Sequence, residues 1–130
     1  MKEVYDFLKK CKVYYLATVD GDKPRVRPFG TVNIFENKLY IQTGKKKDVS
    51  KQIHLNPNVE ICAFDGEDWI RLTGVLMEDT RVEAKRDLLK HYPSLAPLYD
   101  EYDENTEVFY FKEGHAVVYS FKEAPKEYNF

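Results

Sequence analysis

Only two cysteines occur in the 130 residues, Cys11 and Cys62, and they form no CxxC pair. The chain therefore offers neither a disulfide framework nor a zinc ribbon, and reduced thiols are expected. Histidine is nearly as scarce: His54, His91 and His115 show no metal-ligand spacing with one another or with the cysteines, so no metal is expected. No long uncharged apolar run is present to span a membrane. The opening stretch MKEVYDFLKK is amphipathic instead of signal-like, which makes the cytoplasm the expected compartment. Neither sign of charge is in excess, with 20 Lys and Arg against 22 Asp and Glu, a net charge of −2 and a sequence pI near 5.9. No global field draws nucleic acid to such a chain, so any anion must be held by a local cluster of basic groups. A Ser-His-Asp order and a paired-carboxylate signature are also missing, and the acidic run Asp100 to Glu107 reads as a solvated loop.

What is present suits one globular domain over residues 1–130: hydrophobic residues make up 43% of the chain, 15% of it aromatic, enough to bury a core. Val4, Phe7, Leu8 and Cys11 fall at i, i+3, i+4 and i+7, which predicts an amphipathic opening helix. Val13 to Val19 is β-branched and aromatic, and the turn Asp20-Gly21-Asp22-Lys23-Pro24 leads it into a second strand, Arg25 to Phe35. Glu36-Asn37 turns into Lys38 to Thr43, so these three strands are expected to form a meander. A helix over Asp48 to Leu55 follows, ended by Asn56-Pro57. Val59 to Phe64 and Trp69 to Met77 flank Asp65-Gly66 as another hairpin. Thr80 and Glu83 have the spacing of a capping box opening a helix to about His91, and Val108 to Phe111 with Ala116 to Phe121 suggest a last hairpin around Glu113-Gly114. The fold class that results is mostly β, with six or seven antiparallel strands closed or nearly closed into a barrel and short flanking helices.

Two stretches carry chemistry. In PRVRPFG, residues 24–30, Arg25 and Arg27 lie two apart on a strand and therefore point the same way. In TGKKKDVSKQI, residues 43–53, Lys45, Lys46 and Lys47 stand before a helix whose N-terminus already carries partial positive charge. Basic groups at that place suit a bound anion, and the meander would bring the arginines beside them to clamp a phosphate.

The order of these elements resembles the pyridoxamine 5′-phosphate oxidase-like FMN-binding split-barrel family, in particular its small general-stress-protein-like members. YYLATVDGDKPRVRPFG is similar to that family's opening hairpin, LYIQTGKKKDVSKQIHLNPNVEI to its central strand, phosphate helix and next strand, and WIRLTGVL to the strand that continues the barrel. The resemblance implies FMN held between the two subunits of a homodimer. It matches Arg27 to the strand arginine that binds the phosphate, with Arg25 beside it, and places Pro28 and Phe29 along the isoalloxazine edge. Gln42 and Thr43 match the strand end touching the ring and ribityl chain. The basic position at the helix start falls on Lys46 or Lys47. Trp69 matches a residue reaching the flavin from the neighbouring subunit, with a place in the barrel core as the alternative. The implied function is oxidoreduction of a small, planar substrate, against a flavin-binding or electron-carrying module without turnover, or a barrel holding a related cofactor such as a deazaflavin or haem. The run SFKEAPKEYNF has no arginine, and none follows Arg86, which argues against pyridoxamine 5′-phosphate itself as substrate.

Overall fold

The computed structural model describes residues 1–130. Helix α1 (Lys2–Cys11) precedes β1 (Tyr14–Asp20), β2 (Lys23–Phe29), β3 (Asn33–Phe35) and β4 (Lys38–Gly44). Helix α2 (Asp48–Leu55), β5 (Asn58–Phe64), β6 (Trp69–Asp79), α3 (Val82–His91), β7 (Thr106–Tyr119) and β8 (Lys126–Asn129) complete the chain. All strand pairs are antiparallel, in the order β2-β1-β5-β6-β7-β4-β3, with β8 on β7. No helix is long and apolar enough to cross a membrane.

That order curls the sheet. Strands β2 and β3 lie at its two ends, yet only residues 30–32 separate them, a link reaching at most about 14 Å. The result is a barrel split between β2 and β3. Hydrogen bonds stitch the link to both sides: the buried Tyr14 hydroxyl donates to the Thr31 carbonyl at 2.6 Å, and Thr31 Oγ1 accepts from the Gln42 amide at 3.0 Å. Pro24 and Pro28 are tolerated in β2 because it is an end strand, where a missing N–H costs no ladder bond. Inward residues of β1, β5 and β6, among them Leu16, Ile61, Ile70 and Leu72, are fully buried. Val4 and Leu8 of α1 join this core. Helix α3 packs Ala84 and Leu88 on Tyr40 and Val108 outside the barrel.

Four sequence expectations need correction. The strand expected over 25–35 is two strands at opposite ends of the sheet, so there is no three-strand meander. The break falls where the chain must cross the split. The capping box at Thr80 and Glu83 does not form: Arg81 is the N-cap of α3 and no side chain caps the helix, while Asp79 accepts the Arg81 amide at 3.1 Å. Glu113-Gly114 is not a turn but the middle of the 14-residue β7. Gly114 is there for close approach, since a Cβ on it would stand 2.6 Å from the Phe130 ring. Finally, the acidic run is not all solvated, because Thr106 and Glu107 lie on β7 and are fully buried.

Candidate functional site

Arg27 faces Leu16 across the β1–β2 ladder, and Arg25 faces Thr18. Both arginines therefore share the inward side of β2, as the alternation rule requires. They emerge at the mouth of the split, where α2 packs across β1. Val49 and Ile53 anchor that helix in the core, which turns Gln52 toward the arginines. The Arg27 guanidinium donates to the Leu16 carbonyl at 3.2 Å, Thr18 Oγ1 at 2.7 Å and Gln52 Oε1 at 2.6 Å. All three acceptors are neutral, and no carboxylate pairs with Arg27. Burial, with the neighbouring Arg25 charge added to it, holds the Arg27 guanidinium below its ordinary pKa, and Asp48 offsets this in part. A half-buried cation whose fork has donors to spare is a receptor for an anion.

The cavity beside it, about 630 Å³, is lined by Arg25, Arg27, Lys47 and Lys51 against only Asp20 and Asp48. Arg25 is paired to Asp20 at 3.0 Å and Lys51 lies 4.0 Å from Asp48, so Arg27 and Lys47 are the cations without partners. Lys47 is the N-cap of α2, and no side chain caps the first turn of that helix. The volume is within the range of about 300–1,000 Å³ of small-molecule sites. A larger groove, about 920 Å³, has the wrong sign for a phosphate, since Lys23 there faces Asp22, Glu60 and Glu113.

The structure thus brings Arg25, Arg27 and Lys47 together, through α2 and not through a meander. Lys46 lines none of this cavity; its amide donates to Asn105 Oδ1 at 3.1 Å. Pro28 points out of the barrel opposite Tyr15, and Phe29 packs inward against the Tyr14 ring at 5.9 Å. Gln42 and Thr43 are buried on β4, with the Gln42 amide group donating to the Thr43 carbonyl at 3.0 Å. Trp69 begins β6, three strands from β2, stacked on Tyr119 at 5.4 Å and against Phe121 at 5.0 Å. Within one chain, none of these last five lines the basic cavity.

Two groups escaped the reading of the sequence. Gln52 and Lys51 belong to the basic cavity, and the i, i+4 spacing of Lys47 and Lys51 is the signal that would have placed them together. On the other side of α2, Ser50 and His54 meet Glu78 of β6 and Glu107 of β7. Three separate elements contribute to that cluster, so no local spacing reveals it.

The family model described as pyridoxamine 5′-phosphate oxidase matches residues 1–112. Among solved structures, a NimC/NimA family protein from Clostridium acetobutylicum is 44% identical and superposes with a TM-score of 0.98, over 100% of this chain and 92% of that one. General Stress Protein 26 from Bacillus anthracis is 20% identical with a TM-score of 0.72, over 98% of each chain. A pyridoxamine 5′-phosphate oxidase-related, FMN-binding protein from Nostoc punctiforme is 14% identical with a TM-score of 0.61, over 98% of this chain and 92% of that one. The last two likenesses are of fold alone. A search of the curated proteins finds no match. The matched residues run from α1 into β7 and include every group lining the basic cavity, and the chain belongs to the pyridoxamine 5′-phosphate oxidase family.

Proposed function

We propose that this protein is an FMN-binding flavoprotein, a homodimer with cofactor at the subunit interface, and an oxidoreductase acting on a small molecule. The observation that carries the reading is the half-buried Arg27 guanidinium, which has neutral hydrogen-bond acceptors, no carboxylate, and the unpaired Lys47 across the same cavity. These two cations fit a terminal phosphate, and the uncapped first turn of α2 adds a favourable dipole end. Gln52 and Thr18 hold the guanidinium in place: Thr18 Oγ1 also donates to Gln52 Oε1, at 2.5 Å. Arg25, paired with Asp20, lines the same cavity. When bound, FMN supplies hydride or electron transfer, and the protein contributes placement and exclusion of water.

The dimer reading is supported by the outward face of β1, β2 and β5. Tyr15 is 51% exposed, Val26 67% and Phe64 60%. Tyr15 stands level with Pro28 and Cys62 across the ladder, and Val26 and Phe64 follow one pleat on either side. An apolar stripe of this kind suits a protein partner more than water. Trp69 stands opposite Phe64 on that face, which supports a role for it against a cofactor shared with a second copy.

The test is an absorbance spectrum of the purified protein, mass analysis of released ligand, and anaerobic addition of NADH or NADPH. Bound FMN that is reduced rapidly supports the proposal. FMN that binds but accepts no electrons makes the protein a flavin-binding module, and failure to bind added FMN overturns the reading.

A further inference from the structure

The inner face of the barrel ends, at β6 and β7, in two glutamates. Glu78 pairs in register with Phe109, and Glu107 lies two residues before Phe109 on the same face. The carboxylates are therefore diagonal neighbours, which like charges avoid unless something compensates them. Helix α2 covers them with His54, whose ring lies 5.6 Å from that of Phe109. His54 Nε2 is 2.7 Å from Glu107 Oε2 and 3.7 Å from Glu78 Oε1. Glu107 is fully buried, and its second oxygen accepts from Ser50 Oγ at 2.6 Å. Glu78 Oε2 is buried without a hydrogen-bond partner, with only the Lys45 ammonium 3.7 Å away.

We propose that His54, Glu78 and Glu107 form a binding site for a divalent transition-metal ion of the Zn²⁺ type, separate from the basic cavity on the other side of α2. One donor atom from each residue lies within 4.8 Å of the others. Bonds of about 2.1 Å to a tetrahedral ion require donors about 3.4 Å apart. The two separations from His54, 2.7 and 3.7 Å, bracket that value and the third lies within 4.8 Å, so side-chain rotations bring the three donors onto an ion. One imidazole and two carboxylates suit Zn²⁺ and its neighbours better than the all-oxygen cages of calcium. Ser50 fixes the oxygen of Glu107 facing away from the ion, the kind of outer contact that orients a ligand. Lys45, 43% exposed, can swing into water as the ion enters. An adjoining cavity of about 570 Å³ bordered by Lys45, Lys51 and Leu55 leaves a fourth position for water or a small ligand. Coordination through Nε2 takes the neutral imidazole with its proton on Nδ1, so a proton held between Nε2 and Glu107 is exchanged through solvent for one on Nδ1.

The experiment titrates chelator-treated protein with Zn²⁺ by calorimetry and with Co²⁺ by visible absorption, which reports coordination directly. One ion per chain and a raised thermal midpoint are expected. His54→Gln and Glu78→Gln should each weaken binding at least about tenfold, while Arg27→Ala leaves it unchanged. Both ligand variants are at partly exposed positions, and circular dichroism without metal confirms their fold; if one fails to fold, the other decides. Absence of binding by the wild-type chain overturns the proposal. So does binding that neither ligand variant alters, which would assign the ion to surface histidines.

Discussion

Replacing Arg27 by alanine tests the phosphate receptor most directly, because two outcomes can be separated by the ligand used. Arg27 has five N–H donors, and three are engaged by Leu16, Thr18 and Gln52. Arg27 lines the cavity shared with Lys47, and two donors are left for a ligand there. A hydrogen bond to a charged group is worth about 1.5–3 kcal/mol, so removing one such bond to the phosphate should weaken FMN binding about 10- to 150-fold. Riboflavin, which lacks the phosphate, should bind the variant within about twofold of its wild-type affinity. The fold should survive. Thr18 and Gln52 keep their mutual hydrogen bond, and giving up the partly exposed bonds of Arg27 costs about 1 kcal/mol. Arg27→Lys retains charge without the fork and should fall between wild type and Ala. The assay is flavin fluorescence titration of all three proteins with both ligands. Equal losses for FMN and riboflavin would refute the phosphate assignment, and a variant that unfolds would make Arg27 a structural residue.

Lys47→Ala should weaken FMN binding by about tenfold, while Lys46→Ala, outside the cavity, should not; the same titration distinguishes them. Gly74→Ala should destabilise the barrel by about 1–3 kcal/mol, read by urea unfolding, because its Cβ would stand 2.3 Å from the Glu113 carbonyl oxygen. Burial alone would raise the Asp79 carboxyl, but bonds from Arg81 and Tyr40 outweigh it and bring the pKa down to about 2, from 3.8. A depressed carboxylate contributes stability above its unfolded value that is lost as pH falls through the folded one. Thermal midpoints should therefore drop between about pH 4 and pH 2, less steeply in Asp79→Asn; equal slopes in the two proteins would show that Asp79 contributes nothing. The proposed sharing of FMN between two copies would link binding to assembly, so dilution should release FMN and added FMN should raise the thermal midpoint, and a monomer saturated with FMN in sedimentation would exclude the interface site.

Local pattern carried the helices and the arginine face, because each depends on a period that the chain itself displays. Val4 and Leu8 are buried as their spacing requires, and Arg25 and Arg27 share a side of β2 as alternation requires. The break at residues 30–32 was not legible, since Thr31 and Val32 continue a β-type pattern into β3 and the single Gly30 before them is a weak stop. What ends the strand is the crossing of the barrel's split, a property of strand order and not of those three residues. Gly114 misled for a related reason. Glycine marks a turn when the backbone must reverse, but here it marks the place where Phe130 presses on β7. Glu107 was hidden by its acidic neighbours, although the following Val108 and Phe109 belong to the same buried strand.

The basic cavity shows how a wrong route can lead to the right neighbours. Strand adjacency was the expected link between the arginines and the lysine run, and β2 is in fact as far from β4 along the sheet path as that path allows, save for β3. What joins them is curvature: the sheet returns on itself, and α2 lies over β1 with its first turn beside β2. The same helix then has two faces at work. Gln52 and Lys47 turn toward the cationic side, and Ser50 and His54, one turn apart, toward the two glutamates, with Lys51 on the ridge bordering both. Eight residues thus separate a receptor for negative charge from a cluster that concentrates it, and the anchoring of Val49 and Ile53 in the core keeps the two apart. A substitution that rotates α2, such as a larger side chain at the buried Ser50, should disturb both faces together, whereas changes at Arg27 or Glu78 each disturb one.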